Sequence, residues 1–368
     1  MTPLERRASG WLAGIYALRM LGLFLVLPVF ALEASRYPGG DDPALVGLAL
    51  GAYGLTQALL QLPFGLASDR LGRKRVIVAG LLLFALGSVV AALAGSVWGL
   101  LIGRALQGAG AVSAAVTALL ADQTRVEVRT KAMALVGASI GLVFALSLVA
   151  APALGGWLGL SGLFWLTVLL ALGGIAVVVW GVPPEPARHQ VASRGGLLRA
   201  RADGQLRRLY LGVFVLHAVQ VAMWVGVPAL LVSAGLPAAR HWWVYLPAVL
   251  GSFLVLGTTL FPLERRGYLR PVLLAAIAAI ALAQALLGFA AAGAGGLPLL
   301  GLGLFVFFCG FNVLEASQPS LVSRLAPAAS RGAALGVYGT LQSLGLFAGG
   351  AVGGLLVKGA GATGLFAA

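Results

Sequence analysis

The sequence predicts an all-α membrane protein, and three observations carry that prediction. Apolar residues make up 60% of the chain, its mean hydropathy is +0.99, and only 10% of residues are charged. Soluble domains hold roughly 45–50% apolar and about 25% charged residues, so a water-soluble fold has too little polar surface here. The apolar residues gather into runs of about twenty, the length at which a helix rising 1.5 Å per residue crosses ~30 Å of hydrocarbon. Finally, the remaining Lys and Arg sit almost entirely in alternate loops.

Taken in order, the runs predict eleven spans: 10–33, 45–67, 76–94, 97–120, 132–155, 160–182, 209–233, 242–262, 271–292, 297–321 and 333–357. The first, "WLAGIYALRMLGLFLVLPVFAL", is too long for a cleavable secretion signal, contains Arg19 and is followed by further spans. The apolar stretch 132–182 is divided by the Gly- and Trp-rich turn "GGWLGLSG". Residues 183–208, "PPEPARHQVASRGGLLRARADGQLRR", form the longest polar stretch and divide six spans from five. The expected organisation is therefore an N-terminal six-helix bundle over 1–182, a cytoplasmic basic linker over 183–208, and a C-terminal bundle over 209–368.

Charge sets the orientation. Twenty of the 25 Lys and Arg lie at ends shared with the N-terminus: Arg6 and Arg7, the 68–75, 121–131 and 263–270 loops, the linker, Arg324 and Arg331. Arg36, Arg240 and Lys358 lie on the other side, and Arg19 and Arg104 fall inside spans. The positive-inside rule then predicts a cytoplasmic N-terminus. Basic residues bordering an anionic leaflet also account for the net charge of +14 without a nucleic-acid partner. The lone Cys309 allows no intramolecular disulfide.

The halves are weakly similar. "APALGGWL" (151–158) resembles "GAVGGLLV" (350–357), and the 65–75 loop has a degraded counterpart in "PLERRGYLR" (262–270). A six-helix duplication predicts twelve spans related by a pseudo-two-fold axis. The chain stops at "GATGLFAA", where the twelfth is expected to begin, so eleven are seen and the twelfth is missing or truncated.

The most charged segment, "GLASDRLGRKR" (65–75), stands between two apolar runs. A loop that merely obeys the orientation rule needs no glycines at fixed offsets, whereas a tight turn packed on another helix does. Gly65, Asp69, Arg70, Gly72, Arg73 and Lys74 resemble the signature loop of the major facilitator superfamily, with Ala67 where Leu is usual. "LLIGRALQGAGA" (100–111) looks like that family's fourth-helix motif through Leu100, Arg104, Gln107, Gly108 and Gly110. "GASIGLVFALSLVAAPALGG" resembles its antiporter motif through Pro152, Gly155 and Gly156, with Ser147 and Ala151 where Gly is usual.

This resemblance implies two rocking six-helix bundles and a conformational latch made by Gly65, Asp69, Arg70, Gly72, Arg73 and Asp122. Asp69 is expected near the N-terminus of the eleventh helix, where an anion gains roughly 0.3–2 kcal/mol, and within reach of Arg73. A charge buried in a span costs at least ~2.5–3.5 kcal/mol, so Arg19 and Arg104 should face a cavity or a partner. Arg19, about six residues into its expected span, could instead snorkel to the headgroups. Glu315 is the carboxylate clearly inside a span, and His217 is the other candidate proton carrier, or else a neutral packing histidine. Glu33 closes the first span on the outer side.

By family analogy, spans one, four, seven and ten line the cavity with Phe24, Phe30, Met223, Trp224, Phe307, Phe308 and Phe311. Such a lining suits a hydrophobic or amphipathic organic molecule better than a sugar. No phosphate-binding glycine loop, His/Cys metal cluster or His-x-x-x-His occurs, so neither enzyme chemistry, a metal nor a cofactor is expected. The reading is a monomeric proton-coupled antiporter of small organic molecules in a bacterial inner membrane, its partners being substrate, protons and the bilayer. A gradient-driven importer or facilitator and a non-transporting membrane sensor or scaffold are the alternatives.

Overall fold

The computed structural model describes residues 1–185, 203–327 and 331–368. Among them, ten helical stretches are long and apolar enough to cross a membrane. One of these, Glu127–Gly181, turns at Gly159 (φ 63°, ψ −176°), which divides it into two spans and brings the number to eleven. The spans are numbered 1 to 11 below in chain order.

Local chemistry explains where the spans begin and break. Span 1 starts at Pro3 rather than at residue 10 because Thr2 and Glu5 form a reciprocal capping box around a Pro at the first helical position. That extension carries Arg19 away from the headgroups: it sits near the middle of Pro3–Ala34 and is only 1% exposed, so it does not snorkel. The same span breaks at Leu25–Val26, just ahead of Pro28, whose ring excludes the preceding helical carbonyl. Span 4 (Val97–Asp122) breaks at Gly110–Val112. Span 7 starts at Gly204, because the Asp203 carboxylate accepts hydrogen bonds from the backbone N–H groups of Gln205 and Leu206. It thus absorbs the end of the stretch expected as linker, of which 186–202 lie outside the described residues.

The internal repeat is sharper in the backbone than in the sequence. Gly159 and Gly361 adopt nearly the same left-handed turn, φ 63° and ψ −176° against φ 66° and ψ −171°. Each is followed by a Gly-Leu-Phe at the same offset, residues 162–164 and 364–366. Both spans 5 and 11 therefore reverse at equivalent places.

Spans 2 (Pro43–Leu71) and 11 (Arg331 onward) join the two halves backbone to backbone. A methyl on Gly47 would lie 2.7 Å from the Gly354 Cα, and one on Gly51 would lie 2.7 Å from the Phe347 carbonyl oxygen. The seam is tightest at the end away from the basic loops, where Lys358 Nζ reaches Asp42 Oδ2 at 2.8 Å. Towards the basic end backbone contact gives way to side-chain contact: a methyl on Gly339 would lie 2.5 Å from Gln61 Nε2, and one on Gly336 would meet Leu62 only at 3.9 Å.

Candidate functional site: a buried polar core and a charged loop

Three sites emerge, two inside the bundles and one at the basic end. In the N-terminal half, Tyr53 of span 2 brings Arg19 and Arg104 together. Arg19 Nη2 donates to the Tyr53 hydroxyl at 2.7 Å, and the Arg104 guanidinium lies over the same ring at 5.0 Å. The break in span 4 turns the Gly110 carbonyl towards Arg19 Nη2 at 3.4 Å, and Ser113 Oγ accepts from Nη1 at 3.2 Å. Arg104 Nη1 donates to Gln107, whose amide nitrogen donates to Ser88 at 2.8 Å. Both guanidinium groups are 1% exposed, and neither forms an ion pair among the described residues. Hydrogen bonds and cation–π contacts worth ~0.5–2 kcal/mol each are what hold these charges inside a span.

In the C-terminal half, span 7 places His217 beside Glu315 of span 10, 3.5 Å apart. Gln342 of span 11 lies between them, its Nε2 2.8 Å from His217 Nε2 and 3.3 Å from Glu315 Oε1. The tautomer follows from the partners. His217 Nδ1 faces the Val213 carbonyl at 3.0 Å, which can only accept, so Nδ1 carries the hydrogen. In the neutral ring Nε2 then accepts from the Gln342 amide. A proton arriving on Nε2 would face that amide N–H, so the ring would turn to the Glu315 carboxylate 3.5 Å away or Gln342 would turn its amide oxygen to the ring. The three side chains thus form one polar cluster between spans 7, 10 and 11. Gln342 went unmarked at the sequence level; its only signal was an amide inside an apolar run, "TLQSLG".

The aromatic residues expected to line a cavity are packed instead. Phe30, Trp224, Phe307 and Phe308 are 0% exposed, Met223 is 1% and Phe311 is 6%. Phe24 meets Phe144 of span 5 at 5.1 Å, Phe144 meets Phe308 at 6.0 Å, and Phe308, Phe307, Phe311 and His217 continue the chain at 5.5–5.8 Å. Edge-to-face and offset contacts of this kind interdigitate, so the rings plug the middle between the halves.

At the basic end, Arg73 Nε contacts Asp122 Oδ2 at 3.1 Å, Arg73 Nη1 pairs with Asp69, and the same Nη1 donates to Ser68 Oγ at 2.7 Å. Asp69 and Asp122 close spans 2 and 4, so one guanidinium ties three span ends. Gly72 has φ 115°, a conformation that disfavours any side chain. Gly65, by contrast, lies within span 2, and a methyl there would touch Ala114 only at an ordinary 3.7 Å; the tight-turn argument holds for Gly72 and not for Gly65. The expected approach of Asp69 to the N-terminus of span 11 borders residues 328–330, outside the described residues.

A carboxylate that sequence reading passed over completes this loop. Glu185 accepts from the backbone N–H of Arg73 at 3.2 Å and of Lys74 at 2.7 Å, which places an anion on the N-terminus of span 3. Lys74 Nζ in turn donates to the Val182 carbonyl at 2.5 Å. Among the antiporter-motif residues, Pro152 and Gly156 lie on span 5 with Gly155, which faces Val29 of span 1 at 3.4 Å for an added methyl. Ser147 is buried and returns its hydroxyl to the Phe144 carbonyl. Glu33 pairs with Arg36 at 2.9 Å. Lys74 apart, Arg70 and the remaining charges of the loop enter none of these contacts.

Paired bundles, duplicated turns and a charged loop between spans 2 and 3 define a two-domain membrane transporter fold. A family model described as Major Facilitator Superfamily matches residues 12–366, and the chain belongs to that family. It is 44% identical over 358 residues to the inner membrane transport protein YajR of Escherichia coli (strain K12), covering 96% of this chain and 78% of that protein. The multidrug resistance protein MdtH of Aeromonas salmonicida (strain A449) is 28% identical over 366 residues, covering 96% of this chain and 87% of that one. Among solved structures, the nucleoside transporter NupG superposes with a TM-score of 0.74 at 16% identity over 100% of this chain and 94% of its own.

Proposed function

We propose that the chain is a proton-coupled antiporter that exports small hydrophobic or amphipathic molecules across a bacterial inner membrane, with its N-terminus in the cytoplasm. The observation that carries the reading is the His217–Gln342–Glu315 unit, where a partly exposed carboxylate and a buried imidazole share one amide between spans 7, 10 and 11. Proton loading there exchanges hydrogen-bond partners between spans 7, 10 and 11, and span 11 is the one that meets span 2 of the other half. A proton taken up at Glu315 or His217 therefore acts on the seam that must open and close in alternating access.

The tight seam lies at the end opposite the basic loops, and with those loops cytoplasmic the structure is the state closed to the outside. The aromatic middle supports an apolar or amphipathic substrate that parts the rings as it binds. The printed names of YajR and MdtH, an inner membrane transport protein and a multidrug resistance protein, support membrane location and efflux. The loop of Asp69, Arg73, Asp122 and Glu185 ties the span ends of the N-terminal half together and serves as that half's side of a latch that engages span 11 when the cytoplasmic face closes.

Accumulation of a panel of amphipathic dyes in cells expressing the protein tests this. Expression should lower accumulation of at least one dye, and a protonophore should restore it. Accumulation raised by expression would make the protein an importer and overturn the reading.

A further inference from the structure

We propose that a groove between spans 2, 7 and 11 at the basic end holds one anionic phospholipid, its phosphate on Arg207 and one acyl chain along the groove. The inference is independent of the transport direction and of the proton site.

The groove has a volume of about 560 Å³. Span 7 supplies Arg207, Tyr210 and Phe214, residues three, four and seven apart and so on one face, while span 11 supplies Thr340 and Leu344 and span 2 supplies Leu62. Spans 7 and 11 both start at the basic end, so Arg207 stands at the mouth and Phe214 lies ~10 Å deeper, at 1.5 Å per residue. The lining is thus cationic at headgroup depth and apolar below it, matching an amphiphile set into the leaflet.

One donor at the mouth lacks a partner. Arg207 is exposed, and its guanidinium forms no ion pair or hydrogen bond among the described residues. Tyr210 is only 4% exposed and its hydroxyl is covered, so its ring walls the groove. Among the described residues no acidic side chain lines the groove, and Asp203, one turn before Arg207, gives its carboxylate to the backbone N–H groups of Gln205 and Leu206. A phosphate supplies acceptors to Arg207, and a cationic mouth without a lining carboxylate favours an anionic headgroup over a zwitterionic one. Because Leu62 belongs to the other half, a chain in the groove bridges both halves at the end where backbone contact gives way to side-chain contact.

The test is native mass spectrometry of the delipidated full chain titrated with phosphatidylglycerol or phosphatidylcholine. One phosphatidylglycerol should be retained at concentrations where phosphatidylcholine is not. Arg207→Gln should weaken that retention by about tenfold, the scale of one charge-assisted hydrogen bond. Leu341→Trp, which fills the groove from span 11, should abolish it, while Arg6→Gln, a basic residue at the same depth outside the groove, should leave it unchanged. Equal retention of both lipids, or undiminished phosphatidylglycerol in both Arg207→Gln and Leu341→Trp, would overturn the proposal. Displacement of the lipid by a transported compound at stoichiometric concentration would make the groove a substrate site and overturn it equally.

Discussion

Gly51→Ala should shift the protein away from the state seen here. The added methyl would lie 2.7 Å from the Phe347 carbonyl oxygen and 3.2 Å from its Cα, both backbone atoms of the opposite half. No side chain can rotate to relieve that contact, so spans 2 and 11 must separate. Overpacking of this sort costs ~1–3 kcal/mol, and at ~1.4 kcal/mol per tenfold it lowers the population of the closed seam by roughly five- to 150-fold relative to an arrangement in which the spans are apart. The contact exists only where the halves meet, so the fold of each half is spared. Spin labels at exposed Asp41 and Ala360, beside the Asp42–Lys358 contact, read the separation directly. The distance distribution should move from short to long in Gly51→Ala and stay unchanged in Gly137→Ala, where a methyl meets nothing within 4 Å. An unaltered distribution in folded Gly51→Ala would refute the idea that this seam is the closed face of a two-state device.

Three further outcomes are expected. Asp69→Asn and Arg73→Ala should each raise the population of the arrangement open at the basic end, read between labels placed there on the two halves, and the double variant should cost less than the sum because both act on one network; additive effects would separate them. The Lys358 hydrogen bond, first, and the backbone N–H of Ala44 hold the Asp42 carboxyl below its ordinary 3.8. A lowered value means that the Asp42–Lys358 contact stabilises the closed seam above pH 3.8 and is lost as pH falls through the lowered value, so the long-distance population should rise only in strong acid and Lys358→Gln should flatten that response. A reporter fused after Arg194 should be cytoplasmic and one after Ser96 periplasmic; the reverse at either site would invert the topology.

Much of the fold was legible because hydrocarbon imposes length and composition on a span. Boundaries were less legible, since caps override hydropathy: Thr2 and Glu5 extend span 1, and Asp203 starts span 7 inside a polar stretch. Arg73 with Asp69 and Asp122 was implied by the family resemblance, and the three charges do meet at the ends of neighbouring spans. Glu185 could not, because nothing in "PPEPARH" says which helix N-terminus its carboxylate will meet. The seam glycines were likewise silent: Gly47, Gly51 and Gly54 look like ordinary membrane-helix glycines until Gly350, Phe347 and Ser343 are placed against them. The aromatic residues misled for a related reason. Family analogy places Phe24, Phe307 and Phe308 inward, but does not say whether they line a space or fill it, and in this closed arrangement they fill it.

Proton movement through the Glu315 cluster is measured most directly in proteoliposomes that carry a pH gradient and an internal pH dye. Addition of an exported compound should dissipate the gradient in the wild type. Glu315→Gln, which keeps shape and a hydrogen bond to Gln342 but cannot carry a proton, should abolish that dissipation while substrate binding remains measurable, and His217→Ala should shift its pH profile. Undiminished substrate-dependent dissipation in Glu315→Gln would contradict the assignment of proton coupling to this cluster.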